Sequence, residues 1–249
     1  MSYKQVNNRP VFLVGDLHTN YKEFKEDYDK RGVKDCDFIF LGDTSIIRES
    51  DFNQFKKLDK QFDKDGNKGY FLRGNHDNPF LHDVSDYSKH YTTFRPVYTG
   101  YTEINGYKGI FLNGATTVNR SLLEEGVNYW KEFDKVDDAS SYTDKLDFVI
   151  GHTGPLPTDT VWNTDCSRFI IEDKQLALDL ANEQTYLRKL LNQWKPKLWC
   201  CGHYHSNYRH HISEKDFECD VRLIGKNVIV NFSEILCKMN SKKNSQKKN

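Results

Sequence analysis

Five short apolar runs in this chain each end in a glycine followed by side chains that bind metals or move protons. Val11–Val14 leads through Gly15 to Asp16 and His18, and Phe38–Leu41 leads through Gly42 to Asp43. Tyr70–Arg73 leads through Gly74 to Asn75, His76 and Asp77. Phe148–Ile150 leads through Gly151 to His152, and Leu198–Cys201 leads through Gly202 to His203 and His205. Each residue alone has a plain structural use: an Asp can cap a helix or turn, an Asn can close a turn, and His152 can be a satisfied, partly buried imidazole. The recurrence changes the balance, because five of the nine histidines fall at these run ends, whereas core histidines should fall without regard to them. Carboxylates, imidazoles and one carboxamide oxygen form a mixed oxygen and nitrogen donor set. That set suits borderline divalent metals rather than a calcium cage or a thiolate zinc site. A single Asp can bridge two cations, and two cations roughly 3.5–4 Å apart can hold a hydroxide nucleophile and neutralise charge on phosphoryl oxygens.

The elements that must position these residues are readable from periodicity. Short β-branched and aromatic runs that turn sharply through Gly into polar loops predict strands whose carboxyl ends line one site, as in open α/β sheets. Between the first two runs, Tyr21, Phe24 and Tyr28 keep helical spacing, Asn20 and Glu23 have capping-box spacing, and Gly32 suits the C-terminal stop. A longer helix is expected over Lys174–Trp194, where Leu176, Leu180, Leu187, Leu190, Leu191 and Trp194 recur before Pro196. Asp220–Ile224 and Asn227–Asn231, separated by Gly225 and Lys226, read as a hairpin. Residues 1–237 read as one domain and 238–249, rich in Lys, Asn and Ser, as a disordered tail.

Composition narrows the class. Thirty-six basic residues balance thirty-six acidic ones, so no net field draws the chain to nucleic acid or to an anionic membrane, and a dedicated nucleic-acid binder is disfavoured. The polar start, Met1 to Pro10, runs straight into an apolar stretch too short for a signal-peptide core, and no later stretch reaches membrane-span length. With no secretory route visible, a cytoplasmic protein whose six cysteines are reduced thiols is expected, and no CxxC pair suggests a thiolate metal site. Cys200 and Cys201 read as core filler, Tyr129 and Trp130 as a packed aromatic pair, and His210 and His211 as an exposed loop pair.

The ordered motifs GDLH, GD, GNHD, GHT and GHYH, spread over roughly residues 11 to 206, resemble those of the calcineurin-like metallophosphoesterases. Asn113–Phe133 resembles a stretch in bacterial and phage-borne members, where a small-residue turn precedes an Arg and then paired aromatics and an acid. The resemblance implies an α/β fold with four layers, α/β/β/α, in which two mixed sheets pack face to face between helices. It implies Asp16, His18, Asp43 and His205 around one metal, and Asp43, Asn75, His152 and His203 around the other, with Asp43 bridging. It further implies that His76 protonates the leaving oxygen and that Asp77 orients its imidazole; the plainer use of His76 is a supporting hydrogen bond. Arg73 could grip a substrate phosphate bidentately or form a surface salt bridge.

The chain departs from the serine/threonine protein-phosphatase pattern: Thr19 follows His18, no second Asp follows Asp43 in GDTSIIRES, and Arg48 sits one position late. Asn119 stands where the bacterial branch often has Asp. The leading expectation is a phosphomonoesterase that uses a hydroxide activated by two metals, with a phosphoester as partner. Manganese is expected, with iron or zinc as alternatives. A phosphodiesterase or nuclease on the same metals is the second reading, and a non-catalytic scaffold that binds a protein partner is the third.

Overall fold

A computed structural model describes residues 9–18, 20–84, 86–156 and 167–246. The chain alternates strands and helices through β1 (Val11–Val14), α1 (Tyr21–Arg31), β2 (Asp37–Phe40), α2 (Phe52–Lys64), β3 (Lys68–Phe71), α3 (Pro79–Val84) and β4 (Phe94–Pro96). It continues through β5 (Gly100–Ile104), β6 (Tyr107–Leu112), β7 (Phe148–Gly151), α4 (Ser167–Glu172), α5 (Lys174–Trp194) and β8 (Leu198–Cys201). It closes with β9 (Tyr208–Glu214), β10 (Phe217–Leu223), β11 (Ile229–Asn231) and α6 (Phe232–Gln246). The first sheet has the order β11-β1-β2-β3-β4 and the second β5-β6-β7-β8-β10-β9. Both sheets are mixed. β1 to β4 run parallel with β11 antiparallel at the edge, while β6, β7, β8 and β10 run parallel between antiparallel β5 and β9.

The period of two along each strand sorts side chains into layers. Val11, Leu13, Ile39 and Leu41 of the first sheet meet Phe111, Phe148, Ile150, Leu198 and Cys200 of the second in the middle of the molecule. The alternate residues Phe12, Val14, Phe38 and Phe40 face outward under Phe24 and Tyr28 of α1 and Phe52, Phe55 and Phe62 of α2. On the other side Ile110, Leu112, Val149, Trp199 and Cys201 lie under Leu187, Leu190, Leu191 and Trp194 of α5. These central strands are covered on both faces, so they read as continuous apolar runs rather than alternating ones. The layers are α/β/β/α, as the resemblance implied. Cys200 and Cys201 are buried filler in β8, and no helix among the described residues is long and apolar enough to cross a membrane.

Three local expectations change. Asn20 flanks α1 without a side-chain cap, and Glu23 instead accepts a hydrogen bond from Asn227 Nδ2 at 2.8 Å. Gly32, at φ 56°, does close the helix in the left-handed conformation that only glycine adopts without strain. The hairpin is β9–β10, turning at Lys215 and Asp216; Gly225 and Lys226 instead carry the chain from β10 in one sheet to β11 in the other. A turn signal marks a reversal but not the sheet that receives the next strand. Finally, α6 runs through Gln246 into the expected tail, seated on the inter-sheet layer by Phe232, Leu236 and Met239.

α5 spans the range its spacing predicts, and Asp173 caps it by accepting from the N–H groups of Gln175 and Leu176. Its last aromatic, Trp194, is fully buried and donates from Nε1 to Tyr142 O at 2.6 Å. Trp194→Ala is expected to lower unfolding free energy by about 3–5 kcal/mol, read from urea denaturation, because it leaves a large cavity under α5; Tyr142 O keeps its bond from Gln193 Nε2 at 2.6 Å.

Candidate metal centre

The ligand-type side chains sit at the carboxyl ends of β1, β2 and β3 in one sheet and β7 and β8 in the other, and the two sheets bring them together. Asp16, His18, Asp43 and His205 present donor atoms within 4.8 Å of one another, and Asp43, His152 and His203 do the same. Asn75 joins the second group, with Oδ1 at 2.9 Å from His152 Nε2. Asp43 faces both ways: Oδ2 is 3.6 Å from His18 Nε2 and Oδ1 is 3.5 Å from His152 Nε2. In the first group His18 Nε2 and His205 Nε2 approach to 2.7 Å, and His205 Nε2 lies 3.3 Å from Asp16 Oδ2. Lewis bases of this kind converge on one point when a cation is to replace the proton between them.

The backbone holds them there at a cost. His18, Asp43, His203 and His205 all have positive φ, between 44° and 64°, a region that disfavours non-glycine residues by roughly 1–3 kcal/mol each. Hydrogen bonds between loops secure these conformations. The N–H of His18 donates to Asp43 O at 3.0 Å, the N–H of His203 to Asp16 Oδ2 at 2.9 Å, and the N–H of His76 to Asp43 Oδ1 at 2.8 Å. Two motif glycines are required by close approach. A Cβ on Gly74 would lie 2.1 Å from Asp43 Oδ1, and one on Gly202 would lie 2.1 Å from Asp16 Oδ1.

Electrostatics agrees with the donor chemistry. Burial alone would raise Asp43, but the imidazoles of His152, His76 and His18 outweigh it and hold the carboxyl well below the usual carboxylate range. Burial would likewise lower His152, but Asp43 dominates and raises it to about 9. Burial depresses His203 well below the ordinary imidazole value and lowers His18. His152 Nδ1 donates to Leu41 O at 2.7 Å, which leaves Nε2 as the atom that can bind a cation. The residues present therefore fit divalent metal, with Asp43 common to both donor groups.

Two further residues expected near the chemistry, Asp77 and Arg73, have close partners of their own. Asp77 accepts from Thr44 Oγ1 at 2.9 Å, Ser45 N–H at 2.7 Å and Gly74 N–H at 2.8 Å. Its carboxylate thus stitches the loops after β2 and β3 together, Oδ1 toward Thr44 and Ser45 and Oδ2 toward Gly74. Arg73 is buried, pairs with Asp137 and lies 5.6 Å from the Phe133 ring centre. A buried guanidinium needs its carboxylate partner, and Asp137 supplies it, the salt bridge that is one of the two expected uses of Arg73, here buried rather than at the surface. His76 is half-buried beside the cluster, its ring 5.5 Å from that of His18. Tyr129 and Trp130 are packed, with Tyr129 donating to Asp134, while the exposed His211 pairs with Asp220.

Glu183 was not anticipated. It sits on the buried face of α5 between Leu180 and Leu187, where burial raises its pKa. It accepts from Thr116 N–H and from Thr153 Oγ1, whose oxygen lies 2.9 Å from the Tyr204 hydroxyl. Thr153 follows His152, and Tyr204 sits between His203 and His205. The available signal was a lone acid on an apolar helical stripe.

A four-layer sandwich with Asp and His donor groups converging at its strand ends defines a class of metal-dependent hydrolases. The model of the calcineurin-like phosphoesterase family matches residues 9–207, and the chain belongs to that family. It is accordingly a metal-dependent phosphoester hydrolase. One crystal structure, 13% identical, aligns over 91% of this chain and 96% of its own with a TM-score of 0.51, which shows the fold. No curated protein matches the sequence.

Two outcomes follow from the geometry. Gly74→Ala is expected to abolish retention of divalent metal, measured as metal content after gel filtration, because Asp43 must shift to admit the methyl group. In chelator-treated protein, the folded-state value of about 9 for His152 exceeds the unfolded value of about 6.5. Its contribution to stability is therefore complete below about pH 6.5 and lost as pH rises through about 9. Urea midpoints should fall across that window, and His152→Asn should flatten the fall.

Proposed function

We propose that this protein is a phosphomonoesterase built on a dinuclear centre, with manganese as the working metal. Asp16, His18, Asp43 and His205 would hold one cation, and Asp43, Asn75, His152 and His203 the other. The observation that carries the reading is Asp43, one buried carboxylate with an oxygen toward each donor group. When bound, the cation pair supplies Lewis acidity for water activation and for the charge that gathers on phosphoryl oxygens. The mixture of imidazole and carboxylate donors supports manganese, iron or zinc over magnesium.

His76 serves as the general acid. Its backbone N–H is fixed to Asp43 while its ring stands at the half-exposed rim beside His18, where a leaving oxygen can take its proton. Asp77 supports this role indirectly, by holding the loop that carries His76. Preference for small monoesters is supported by the equal counts of basic and acidic residues, which offer no net attraction for a polyanionic strand. The cavity of about 850 Å³ bounded by Arg120, Asp134, Asp173, Asp179 and Glu183 includes none of the ligand candidates in its wall and is predominantly acidic, so the phosphate-binding face is assigned to the metal rim.

The test compares hydrolysis of p-nitrophenyl phosphate and bis(p-nitrophenyl) phosphate, with manganese or chelator. Metal-dependent cleavage that favours the monoester is expected. His76→Ala should lower kcat by roughly 10²–10⁴-fold with metal content unchanged, while Asp43→Asn should lose both metal and activity. A faster diester reaction would reassign the protein as a phosphodiesterase, and failure of the metal-loaded enzyme on either ester would favour a binding scaffold.

A further inference from the structure

We propose that Thr117 is a positioning residue that holds the Asn75 carboxamide with its oxygen toward the metals, by accepting from its NH2 group; this rests on the dinuclear reading above. A carboxamide is nearly symmetric in shape but not in chemistry. Its oxygen is a Lewis base, whereas its NH2 group carries two hydrogens and binds no cation. An Asn ligand with its oxygen on a cation therefore leaves a buried NH2 group that needs an acceptor. Here Asn75 Nδ2 donates to Thr117 Oγ1 at 3.2 Å, and Oδ1 lies on the other side, 2.9 Å from His152 Nε2. The reversed amide would aim its hydrogens at the point where Asp43, His152 and His203 converge. Thr117 is 0% exposed and Asn75 8% exposed, so bulk water cannot take over the hydroxyl's part.

Thr117 is itself held from behind. Its N–H donates to Asp134, whose other oxygen receives Arg120 at 3.0 Å and the Tyr129 hydroxyl at 2.9 Å. Arg120 is also anchored at α5, by Asp173 at 2.6 Å and Asp179 at 2.8 Å. The neighbouring Thr116 N–H donates to Glu183 of the same helix. A continuous set of hydrogen bonds, charged from α5 to Asp134 and neutral at Thr117, thus runs from α5, outside the sheets, to a ligand of the second metal. Arg120 and Asp134 lie within the Asn113–Phe133 stretch and one residue beyond it, which gives that loop a function at the metal centre.

The experiment is a manganese titration by calorimetry on wild type, Thr117→Val and Thr117→Ser, with thermal melts of the chelator-treated proteins as a control for folding. Wild type should bind two ions. Thr117→Val should weaken one of them by about 10–100-fold, the usual effect of losing a group that orients a ligand, and Thr117→Ser should recover most of that affinity. In the Asn75→Asp background, whose carboxylate has no NH2 group for Thr117 to hold, adding Thr117→Val should change manganese affinity less than threefold. Wild-type affinity in Thr117→Val, or equal losses in the Ser and Val variants, overturns the positioning role. A loss as large in the Asn75→Asp background as in the native one does the same. Wild type that binds no manganese overturns instead the dinuclear reading on which the proposal stands.

Discussion

A carboxylate with no appreciable exposure, Asp43, sits among imidazoles from both sheets, and the surrounding architecture is arranged around that fact. A lone buried anion is costly unless it is paired and hydrogen-bonded. Asp43 meets the requirement with His152 and His18 at close range and the His76 N–H donating to it. This arrangement needs a loop at positive φ, a glycine opposite with no side chain, and a second sheet to bring in His152. Each is a local concession in stability whose return is a site with donors already converged.

The four layers explain how such concessions are tolerated. Strict alternation along β1, β2, β7 and β8 gives each strand one face in the inter-sheet core and one under helices, so strand positions are fixed by burial and only the loops beyond their ends carry strain. Asp77 and Glu183 are buried acids used as fasteners. Asp77 joins the loops after β2 and β3, and Glu183 joins α5 to the loops after β6 and β7. A fully buried Glu bonded to a backbone N–H and a hydroxyl restrains two loops at once, which an apolar residue of similar size cannot do.

Legibility in the sequence followed the range over which each signal acts. The strand ends, α5 with its boundaries, and the residues of both donor groups were visible because apolar runs and Gly-plus-ligand tripeptides are local patterns. The partner of Gly225–Lys226, the true donors to Asp77 and the engagement of Arg73 by Asp137 were not visible, because each depends on which distant loop arrives there. The helix through Gln246 lay hidden for another reason: its polar composition masks the few apolar positions, Leu236 and Met239 among them, that seat it. Thr117 had no signature at all, since a Thr in a small-residue turn becomes informative only when Asn75 is found against it.

The donors are divided between the sheets: Asp16, His18, Asp43 and Asn75 follow strands of one, and His152, His203 and His205 follow strands of the other. Cations held in common would therefore act as rivets across the seam, closing it between residues as remote in sequence as His18 and His205, 187 positions apart. Metal release and parting of the two sheets at that end then become linked equilibria. Amide exchange along the site-facing ends of β2 and β7 would slow with metal occupancy, and the centre would serve as a cross-link of the fold as well as the seat of its chemistry.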